Sequence, residues 1–382
     1  MSRPTVCYVA SYDPDYSRNV DTVRALRAAG ARVEVVRGPI GPKRMSETGS
    51  SWRAVRAGLQ LALGSLIRAG DVAVRLLRCR VLVIGYFGQV DMLLIAPIAR
   101  AIGRPVVFSP LVTLSDTIVE DRRWVAKDSL AAGIIQRIDR WSLGLADLVL
   151  VDTTENAGYA TELAGPNGLR TLVFPVGVDP AIFYPGRETR TRRSGELDVL
   201  FYGTFIPLHG VDTIIRAAAI VNTSRPDIRF ELIGAGQEYR AARELADSLD
   251  ATNIRWTDWL PYSELGRRLR EADVALGIFD GGEKASRVIP NKVHQALACG
   301  TPVVTRDSPA IRRLVTDNEA GLLVPPDDPE SLAEALCRLA DDPERRRDLG
   351  VRGREVWEGF ASAERLAGLA RVALDRVGVL QA

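Results

Sequence analysis

The turn GTFIPLHGVD (residues 203–212) contains the residue whose setting most suggests chemistry, His209. A strand-like run (residues 199–202) precedes this turn, and a helix-like run (residues 213–221) follows it. A strand that breaks at a glycine and continues as a helix presents free backbone N–H groups, which commonly bind phosphate. Neither lysine nor arginine occurs in the turn. Gly203, Thr204 and His209 would therefore meet a phosphate through backbone amides and a switchable imidazole.

Permanent cations occur instead in a second stretch, RVIPNKVHQ (residues 287–295), which contains Arg287 and Lys292. A proline is favourable at a helix start, so we expect a helix to begin after Pro290 and to carry Lys292 in its first turn. Arg287 and Lys292 would then supply the charge that the turn lacks. The alternative is a solvated helix face without a ligand. His294, the second histidine of the chain, is predicted to pack inside the protein.

Composition places the chain among soluble globular proteins, with 382 residues of which 46% are hydrophobic and 26% charged. This length allows two domains, each with its own core. The net charge of +2 argues against a nucleic-acid partner. The four cysteines lie far apart and lack metal-ligand spacing, so we expect reduced thiols in a cytoplasmic protein and no metal site.

Short apolar runs alternate with helix-like segments along the whole chain, from TVCYVAS near the start to AGLLVP near residue 322. This pattern predicts an α/β protein with two Rossmann-like, doubly wound domains facing a cleft, and such sheets bind ligands at the carboxyl ends of their strands. The prolines and glycines of FPVGVDPAIFYPG indicate a linker between the domains. The predicted divisions are residues 1–175, a linker at 176–196, residues 197–360, and a helix at 361–382 that packs back on the first domain.

Several of these stretches together resemble the retaining GT-B glycosyltransferases of group 1 (family 4). They are FPVGVDPAIFYP, FYGTFIPLHGVDTIIRAA, and IPNKVHQALACGTPVVTRDSPAIRRLV with the following AGLLVPPDDPESLAEAL. The resemblance is strong over residues 174–345 and looser over the N-terminal half. It implies transfer of a sugar from a nucleotide-diphosphate-sugar to a hydroxyl acceptor, with retained configuration and with neither metal ion nor cofactor. It also implies that the first domain binds the acceptor and the second binds the donor.

The resemblance also implies a set of site residues, and this chain departs from the family pattern at four of them. Thr204 and His209 stand where the family usually has arginine and lysine, and Arg287 and Gln295 stand in place of its glutamate pair. Gln295 can still form a hydrogen bond with a ribose hydroxyl. The implied catalytic residues are Asp116, His209, Arg287 and Lys292. The implied donor-binding residues, with residues 259–262 near the base, are Arg18, Gly203, Thr204, Gly236, Gln237, Trp259, Leu260, Pro290, Asn291 and Gln295.

Two of these candidates belong to the N-terminal half. Arg18 opens a predicted helix after the first strand and could reach the diphosphate across the cleft, although a solvated arginine fits the sequence equally well. Asp116 follows the fourth strand, where a carboxylate could orient the acceptor hydroxyl or stabilise an oxocarbenium ion; the leaving phosphate is an alternative base. Asp13 and Asp15 form a DxD pattern that we interpret as a turn and not as a metal site.

The N-terminal part of the chain is basic, because residues 1–104 carry 16 lysines and arginines against 7 acidic residues. The segment from Trp52 to Arg80 contains six arginines and one acidic residue, with apolar residues at helical spacing. Basic amphipathic helices of this kind bind anionic membrane surfaces. The segment therefore predicts peripheral attachment to the inner face of the cell membrane and admits a lipid-linked acceptor. The alternative is a helix packed on its own sheet with a solvated basic face.

Two other functions stay open on the sequence alone. The missing glutamate pair would fit a nucleotide-sugar-binding scaffold that has lost catalysis. The pattern IGAG (residues 233–236) before a helix would fit a nicotinamide-dependent oxidoreductase or epimerase, but Tyr239 occupies the place of its third glycine. Turnover of nucleotide-sugars distinguishes a transferase from the scaffold, and tight nicotinamide binding would favour the oxidoreductase.

Overall fold

Two compact units make up the chain. The computed structural model describes residues 4–10, 16–38, 51–166, 168–186, 196–315 and 319–380, with side chains described from residue 63 onward in the helix that begins at Ser51. Unit 1 comprises Met1–Gly177 and Ser362–Ala382, and unit 2 comprises Val178–Ala361. The predicted turn at residues 13–15 and residues 187–195 of the predicted linker lie outside the described residues.

The centre of unit 1 is a parallel sheet of six strands, most of them short, buried apolar runs, as expected where helices cover both faces. The strands are β1 (Thr5–Ala10), β2 (Arg32–Arg37), β3 (Val81–Ile84), β4 (Val106–Phe108), β5 (Leu148–Val151) and β6 (Thr171–Val173). Their order in the sheet is β2-β1-β3-β4-β5-β6.

Helices cover both faces of this sheet. They are α1 (Ser17–Ala28), α2 (Ser51–Leu76), α3 (Gln89–Leu94), α4 (Ala96–Ala101), α5 (Leu130–Gly144), α6 (Thr154–Ala164) and, from the end of the chain, α14 (Ala363–Arg376). On one face α14 packs against α1, and both contribute to a single apolar core. On the other face α2 to α6 share a second core, with Val72, Met92 and Leu143 among its members. None of the described helices combines the length and apolar character that a membrane crossing requires.

The centre of unit 2 is another parallel six-stranded sheet. Its strands are β7 (Leu197–Tyr202), β8 (Ile228–Ile233), β9 (Ile254–Thr257), β10 (Val274–Leu276), β11 (Val303–Arg306) and β12 (Leu322–Val324). Their order is β12-β11-β10-β7-β8-β9. In this order β7 lies in the middle of the sheet, β8 and β9 extend one side of it, and β10 to β12 extend the other. The strand order therefore reverses between β7 and β10.

Seven helices of unit 2 complete the described fold. They are α7 (Val211–Ser224), α8 (Tyr239–Ser248), α9 (Tyr262–Glu271), α10 (Glu283–Arg287), α11 (Asn291–Cys299), α12 (Pro329–Asp341) and α13 (Pro343–Ala361). Helices α7, α8 and α12 share a core with one face of the sheet, and α9, α11 and α13 share a core with the other. Two parallel sheets, each covered on both faces, confirm the predicted fold class of two Rossmann-like domains.

Candidate active site

The candidate residues of unit 2 gather at the carboxyl ends of β7 and β10, where the strand order reverses and where Rossmann-like sheets bind ligands. Gly203 follows β7 directly and has a positive φ of 150°. A Cβ atom placed there would lie 3.0 Å from Cε1 of His209 and 3.2 Å from Nζ of Lys292. A side chain at position 203 would therefore crowd the imidazole and the ammonium group. The structure brings together three residues that the sequence predicts for diphosphate binding.

Lys292 is the second residue of α11, and its side chain points into the protein. The ammonium nitrogen is buried and has no hydrogen-bond acceptor in the described part of the chain. It lies 4.0 Å from the centroid of the Phe201 ring. Burial holds the pKa of this lysine well below its usual value. Because a buried ammonium group without an acceptor is unfavourable, the site is complete only when a ligand supplies an anion or acceptor.

His209 ends a short 3₁₀ turn whose shape depends on Gly210, which has a φ of 59°. A Cβ atom at Gly210 would lie 2.7 Å from the carbonyl carbon of Phe279, so the loop after β10 packs directly on this turn. The backbone N–H of Phe279 donates to the carbonyl of His209. The imidazole lies edge-on to Phe201, with 5.7 Å between the ring centroids. The same phenylalanine ring thus positions both His209 and Lys292.

The start of α11 adds positive potential beside the Lys292 ammonium group. Pro290 has an extended backbone (φ −67°, ψ 146°), and the helix begins at Asn291, as predicted. The first amide groups of a helix lack partners within it and carry partial positive charge. A diphosphate at this position would meet the helix terminus and the buried cation together.

More cations lie beside the loop after β10. Arg287 ends α10 with its side chain 15% exposed, and Lys284 on the same helix is buried. Arg306, the last residue of β11, donates to the backbone carbonyls of Asp280 and Gly282 and so fixes the loop that leads into α10. Sequence reasoning missed Lys284 and Arg306. An arginine at the end of an otherwise apolar strand was the available signal for the second of them.

Gln295 has partners that the sequence did not predict. The hydroxyl of Tyr202 donates to Oε1 of Gln295 at 2.6 Å, and Nε2 of Gln295 donates to the hydroxyl of Tyr262 at 3.1 Å. Tyr202 and Gln295 are buried, whereas Tyr262 is 44% exposed. The glutamine therefore connects the buried end of β7 to an exposed tyrosine. Its predicted contact with ribose stays a prediction, as does the predicted place of Tyr262 near the base.

A small pocket of about 60 Å³ opens beside Tyr262. The predicted base contacts Trp259 and Leu260 line it, and Trp259 is 58% exposed. Gly203 lines the same pocket, so the pocket adjoins the predicted diphosphate turn. A larger groove of about 400 Å³ along β7, β8 and β9 contains none of the candidate residues. The smaller pocket is thus the one that fits the predicted base site.

The glycines of IGAG are explained by packing between neighbouring loops. A Cβ atom at Gly234 would lie 2.0 Å from the carbonyl oxygen of Gly203. At Gly236 it would lie 2.6 Å from the backbone nitrogen of Phe205 and 3.0 Å from Cγ2 of Thr204. The loop after β8 therefore rests directly on the turn after β7 and presents the exposed Gln237 next to it. These contacts account for both glycines without a nicotinamide cofactor.

The structure does not support the predicted contact of Arg18 with the diphosphate. Its side chain is fully buried in unit 1, with Nε donating to the hydroxyl of Ser109 at 3.0 Å and Nη2 to the carbonyl of Leu150 at 3.1 Å. Nη1 donates to the carbonyls of Phe174 and Pro175. The guanidinium group thus links β5 to the residues that directly follow β4 and β6. Because these internal acceptors engage all three of its nitrogens, we withdraw Arg18 from the donor-binding residues.

Asp116 lies in a π-helical turn (Ser115–Asp121) between β4 and α5. The residue is 3% exposed, and its backbone N–H donates to the hydroxyl of Thr113. Single π-helical turns often occur at functional sites. The predicted role of this carboxylate toward an acceptor stays a prediction.

Asp139 on α5 anchors the start of that turn. Its carboxylate accepts hydrogen bonds from the backbone N–H groups of Leu114 (2.9 Å) and Ser115 (2.8 Å) and from the Ser115 hydroxyl (2.7 Å). Burial is the main cause that raises the pKa of Asp139 to about 6. The native protein therefore binds this proton more tightly than the unfolded chain, and stability falls as pH rises through the window between the two pKa values.

We expect the free energy of unfolding of the wild type, relative to Asp139→Asn, to fall by about 3 kcal/mol between about pH 4 and 6. Above this window the difference should be constant, because Asp139 is then ionised in both states. Denaturant unfolding at a series of pH values measures it. The exposed Asp128→Asn variant is the matched control and should follow the wild type throughout. Parallel profiles for the wild type and Asp139→Asn would contradict the prediction.

Comparison with known proteins finds one family model that matches part of the chain. Residues 196–342 match the family model described as Glycosyl transferases group 1. The D-inositol 3-phosphate glycosyltransferase of Kribbella flavida is 32% identical over 230 residues, which cover 56% of this chain and 53% of that protein. The phosphatidyl-myo-inositol mannosyltransferase of Mycolicibacterium smegmatis is 32% identical over 197 residues, covering 49% of this chain and 47% of that protein. The chain spans about half the length of these curated relatives.

Solved structures agree with the fold over the whole chain. Sucrose-phosphate synthase from Thermosynechococcus elongatus superposes with a TM-score of 0.76 at 19% identity and 100% coverage of both chains. HepE from Anabaena, solved with UDP and glucose, superposes with a TM-score of 0.69 at 14% identity, covering 98% of this chain and 100% of that one. The family match over the predicted donor region, residues 196–342, and the fold shared with these solved structures confirm the resemblance of this chain to the group 1 glycosyltransferases of GT-B fold.

Proposed function

We propose that this chain is a retaining glycosyltransferase that moves a hexosyl group from a nucleotide-diphosphate-sugar to a hydroxyl acceptor in glycan or glycoconjugate biosynthesis. One observation carries the proposal. The Lys292 ammonium group is buried beside the Gly203 turn at the switch point of the sheet and has no acceptor among the described residues. A diphosphate is the ligand that fits a buried cation, a glycine turn and a helix N-terminus in one place.

The reaction makes a specific demand on this site. The bond between C1 of the sugar and the diphosphate oxygen breaks, and the bond between C1 and the acceptor oxygen forms. Negative charge develops on the leaving diphosphate, so preorganised donors aimed at its oxygens lower the barrier. We assign this role to Lys292, His209, Arg287 and the amides of the turn and of α11. The leaving phosphate takes the acceptor proton, and Asp116 stays a candidate for orienting the acceptor hydroxyl.

Related proteins support the substrate class. HepE was solved with UDP-glucose, and the two curated relatives are named as transferases to inositol phosphate and to phosphatidyl-inositol. We propose that Trp259, Leu260 and Tyr262 hold the base, that Gly236, Gln237 and Gln295 hold the rest of the nucleoside, and that unit 1 binds the acceptor. A lipid-linked acceptor fits the basic segment from Trp52 to Arg80. We propose a cytoplasmic enzyme on the inner face of the membrane, in keeping with its free cysteines.

The two alternative functions, an oxidoreductase and a scaffold without catalysis, account for fewer of these observations. An oxidoreductase would need the IGAG loop for a nicotinamide pyrophosphate, yet both glycines are accounted for by the turn beneath them. A scaffold without catalysis would still bind a nucleotide-sugar, so turnover of the preferred donor distinguishes it from an enzyme.

We expect donor binding to be independent of metal ions, because cations of the protein neutralise the diphosphate. A panel of UDP-glucose, UDP-N-acetylglucosamine and GDP-mannose, each added with a chelator, should identify one donor that stabilises the protein. A ligand at one hundred times its dissociation constant adds about 2.7 kcal/mol to the free energy of unfolding. Loss of this stabilisation in chelator, with recovery in magnesium or manganese, would contradict the proposal. Hydrolysis of the same donor under the same conditions tests catalysis.

A further inference from the structure

Two helices of unit 1 expose an unusual amount of apolar surface. Ten large apolar side chains in the described part of the chain are more than half exposed, and eight of them lie on α2, just after it, or on α5. The other two are Trp259, in the candidate base pocket, and Val351 on α13. Contiguous exposed apolar patches mark binding surfaces more often than isolated residues do.

On the α2 side the exposed residues form a stripe. Leu63, Ile67, Val74 and Leu77 recur at helical spacing, and Leu66 lies beside them. On α5 the exposed apolar residues are Leu130, Ile134 and Trp141, which also share one side of the helix. Sequence reasoning identified the first helix but not the second.

Buried polar contacts fix the rotation of both helices. On α2, Ser65 donates to Oδ1 of Asp91 at 2.6 Å, and Arg68 forms a buried ion pair with the same carboxylate at 3.3 Å. On α5, Asp139 is held by the three hydrogen bonds from residues 114 and 115. Turning either apolar stripe inward would break these buried contacts. The fold therefore keeps both apolar stripes exposed.

The two stripes face the same side of unit 1. Both helices pack against α3, and both contribute to the single core that covers one face of the sheet. Their outward sides therefore belong to one helical layer. A surface formed by two helices of one layer, both packed against α3, suits a broad, flat partner better than a single peptide.

Charge identifies the partner. Arg78, Arg137 and Arg140 are exposed on or beside the two stripes. The sole acidic residue of α5 is the buried Asp139, and Asp71 on α2 is paired with Arg75 at 3.0 Å. Exposed leucine, isoleucine and tryptophan flanked by arginine are typical of protein surfaces that insert into the headgroup region of anionic lipid.

We propose that the outward side of α2 and α5 is a binding surface for an anionic lipid bilayer. Leu63, Leu66, Ile67 and Val74 on the first helix and Ile134 and Trp141 on the second enter the headgroup region, and the arginines contact lipid phosphates. The inference rests on the proposed membrane location of the enzyme. Because the surface belongs to unit 1 and the donor residues to unit 2, its failure would leave the proposed donor chemistry untouched. It would hold unit 1 at the place where a lipid-linked acceptor is found.

Vesicle flotation with full-length protein tests the proposal. The wild type should bind vesicles that contain phosphatidylglycerol, bind pure phosphatidylcholine more weakly, and release at high salt. Ile67→Asp and Ile134→Asp should each lower the partition coefficient by about ten-fold or more, because each puts a carboxylate into the interface. Val351→Asp, an equally exposed apolar residue on α13, is the matched control and should bind like the wild type. All three variants should keep the thermal stabilisation by nucleotide-sugar.

Three results would overturn the proposal. The first is an absence of vesicle binding by the wild type. The second is vesicle binding that Ile134→Asp leaves unchanged, which would remove α5 from the surface. The third is a concentration-dependent dimer that either substitution dissociates, without vesicle binding, which would assign this surface to a second copy of the chain.

Discussion

Replacement of Lys292 by methionine is expected to weaken binding of the preferred nucleotide-sugar by about ten- to a hundred-fold. A charge-assisted hydrogen bond is worth about 1.5–3 kcal/mol, which corresponds to this range of affinity. Methionine has a similar length and suits the apolar contact with Phe201, so the substitution removes the charge while it preserves the packing. Isothermal titration of each variant with the same donor measures the effect.

The same substitution should stabilise the ligand-free protein. The buried Lys292 nitrogen lacks an acceptor among the described residues, and its burial disfavours the charged form. An apolar side chain of similar size removes this cost of desolvation. Replacement of buried ionic groups by apolar ones is often neutral or stabilising by about 1–4 kcal/mol. Higher stability together with weaker donor binding is the signature of a functional residue. If Lys292→Met loses stability and keeps its donor affinity, the lysine is structural.

Replacement of Arg18 by methionine is expected to destabilise the protein by about 3–5 kcal/mol, the range for breaking a buried charged contact. The substitution leaves the carbonyls of Leu150, Phe174 and Pro175 without their donor. It also leaves the buried carboxylate of Asp152 without the nearby positive charge that favours its ionised form. Denaturant unfolding measures the loss.

Arg24→Met is the matched control for this prediction, because Arg24 lies on the same helix with its side chain 39% exposed. Its effect should stay within about 0.5 kcal/mol, as for most surface substitutions. Under conditions in which the Arg18→Met protein is folded, it should bind the donor with wild-type affinity. A stable Arg18→Met protein that no longer binds the donor would restore the contact with the diphosphate that the sequence suggested.

The sequence predicted the parts of this structure that depend on local pattern. Alternating apolar runs and helices predicted both sheets, because strands buried on both faces must be apolar throughout. The glycine at 203 and the proline at 290 predicted where β7 ends and where α11 begins, since both residues restrict the backbone locally. His209 and Lys292 both lie beside Gly203. His209 belongs to the turn that begins at Gly203, and Lys292 follows Pro290 by two residues, so a local signal marks the position of each.

Residues whose role depends on long-range contacts could not be predicted in this way. The contacts of Arg18 are with residues 91 to 157 positions away, and no local pattern distinguishes that arginine from a solvated one. Gln295 meets Tyr202 and Tyr262 only after three elements have packed together. Asp139 had a weak signal, because helical spacing places it on the buried side of α5 with Ala132 and Ser142.

If Lys292 binds the donor diphosphate, donor binding is coupled to uptake of a proton by this side chain. Burial lowers the pKa of Lys292, so above that pKa the free protein holds the neutral amine. The diphosphate favours the ammonium form and raises the pKa, so binding should take up a proton at pH values between the pKa of the free protein and that of the complex. Titration with UDP-glucose, or with the donor that the panel selects, in buffers of different ionisation enthalpy measures the number of protons. We expect more proton uptake by the wild type than by Lys292→Met. Equal proton uptake and equal affinity in the two proteins would contradict it.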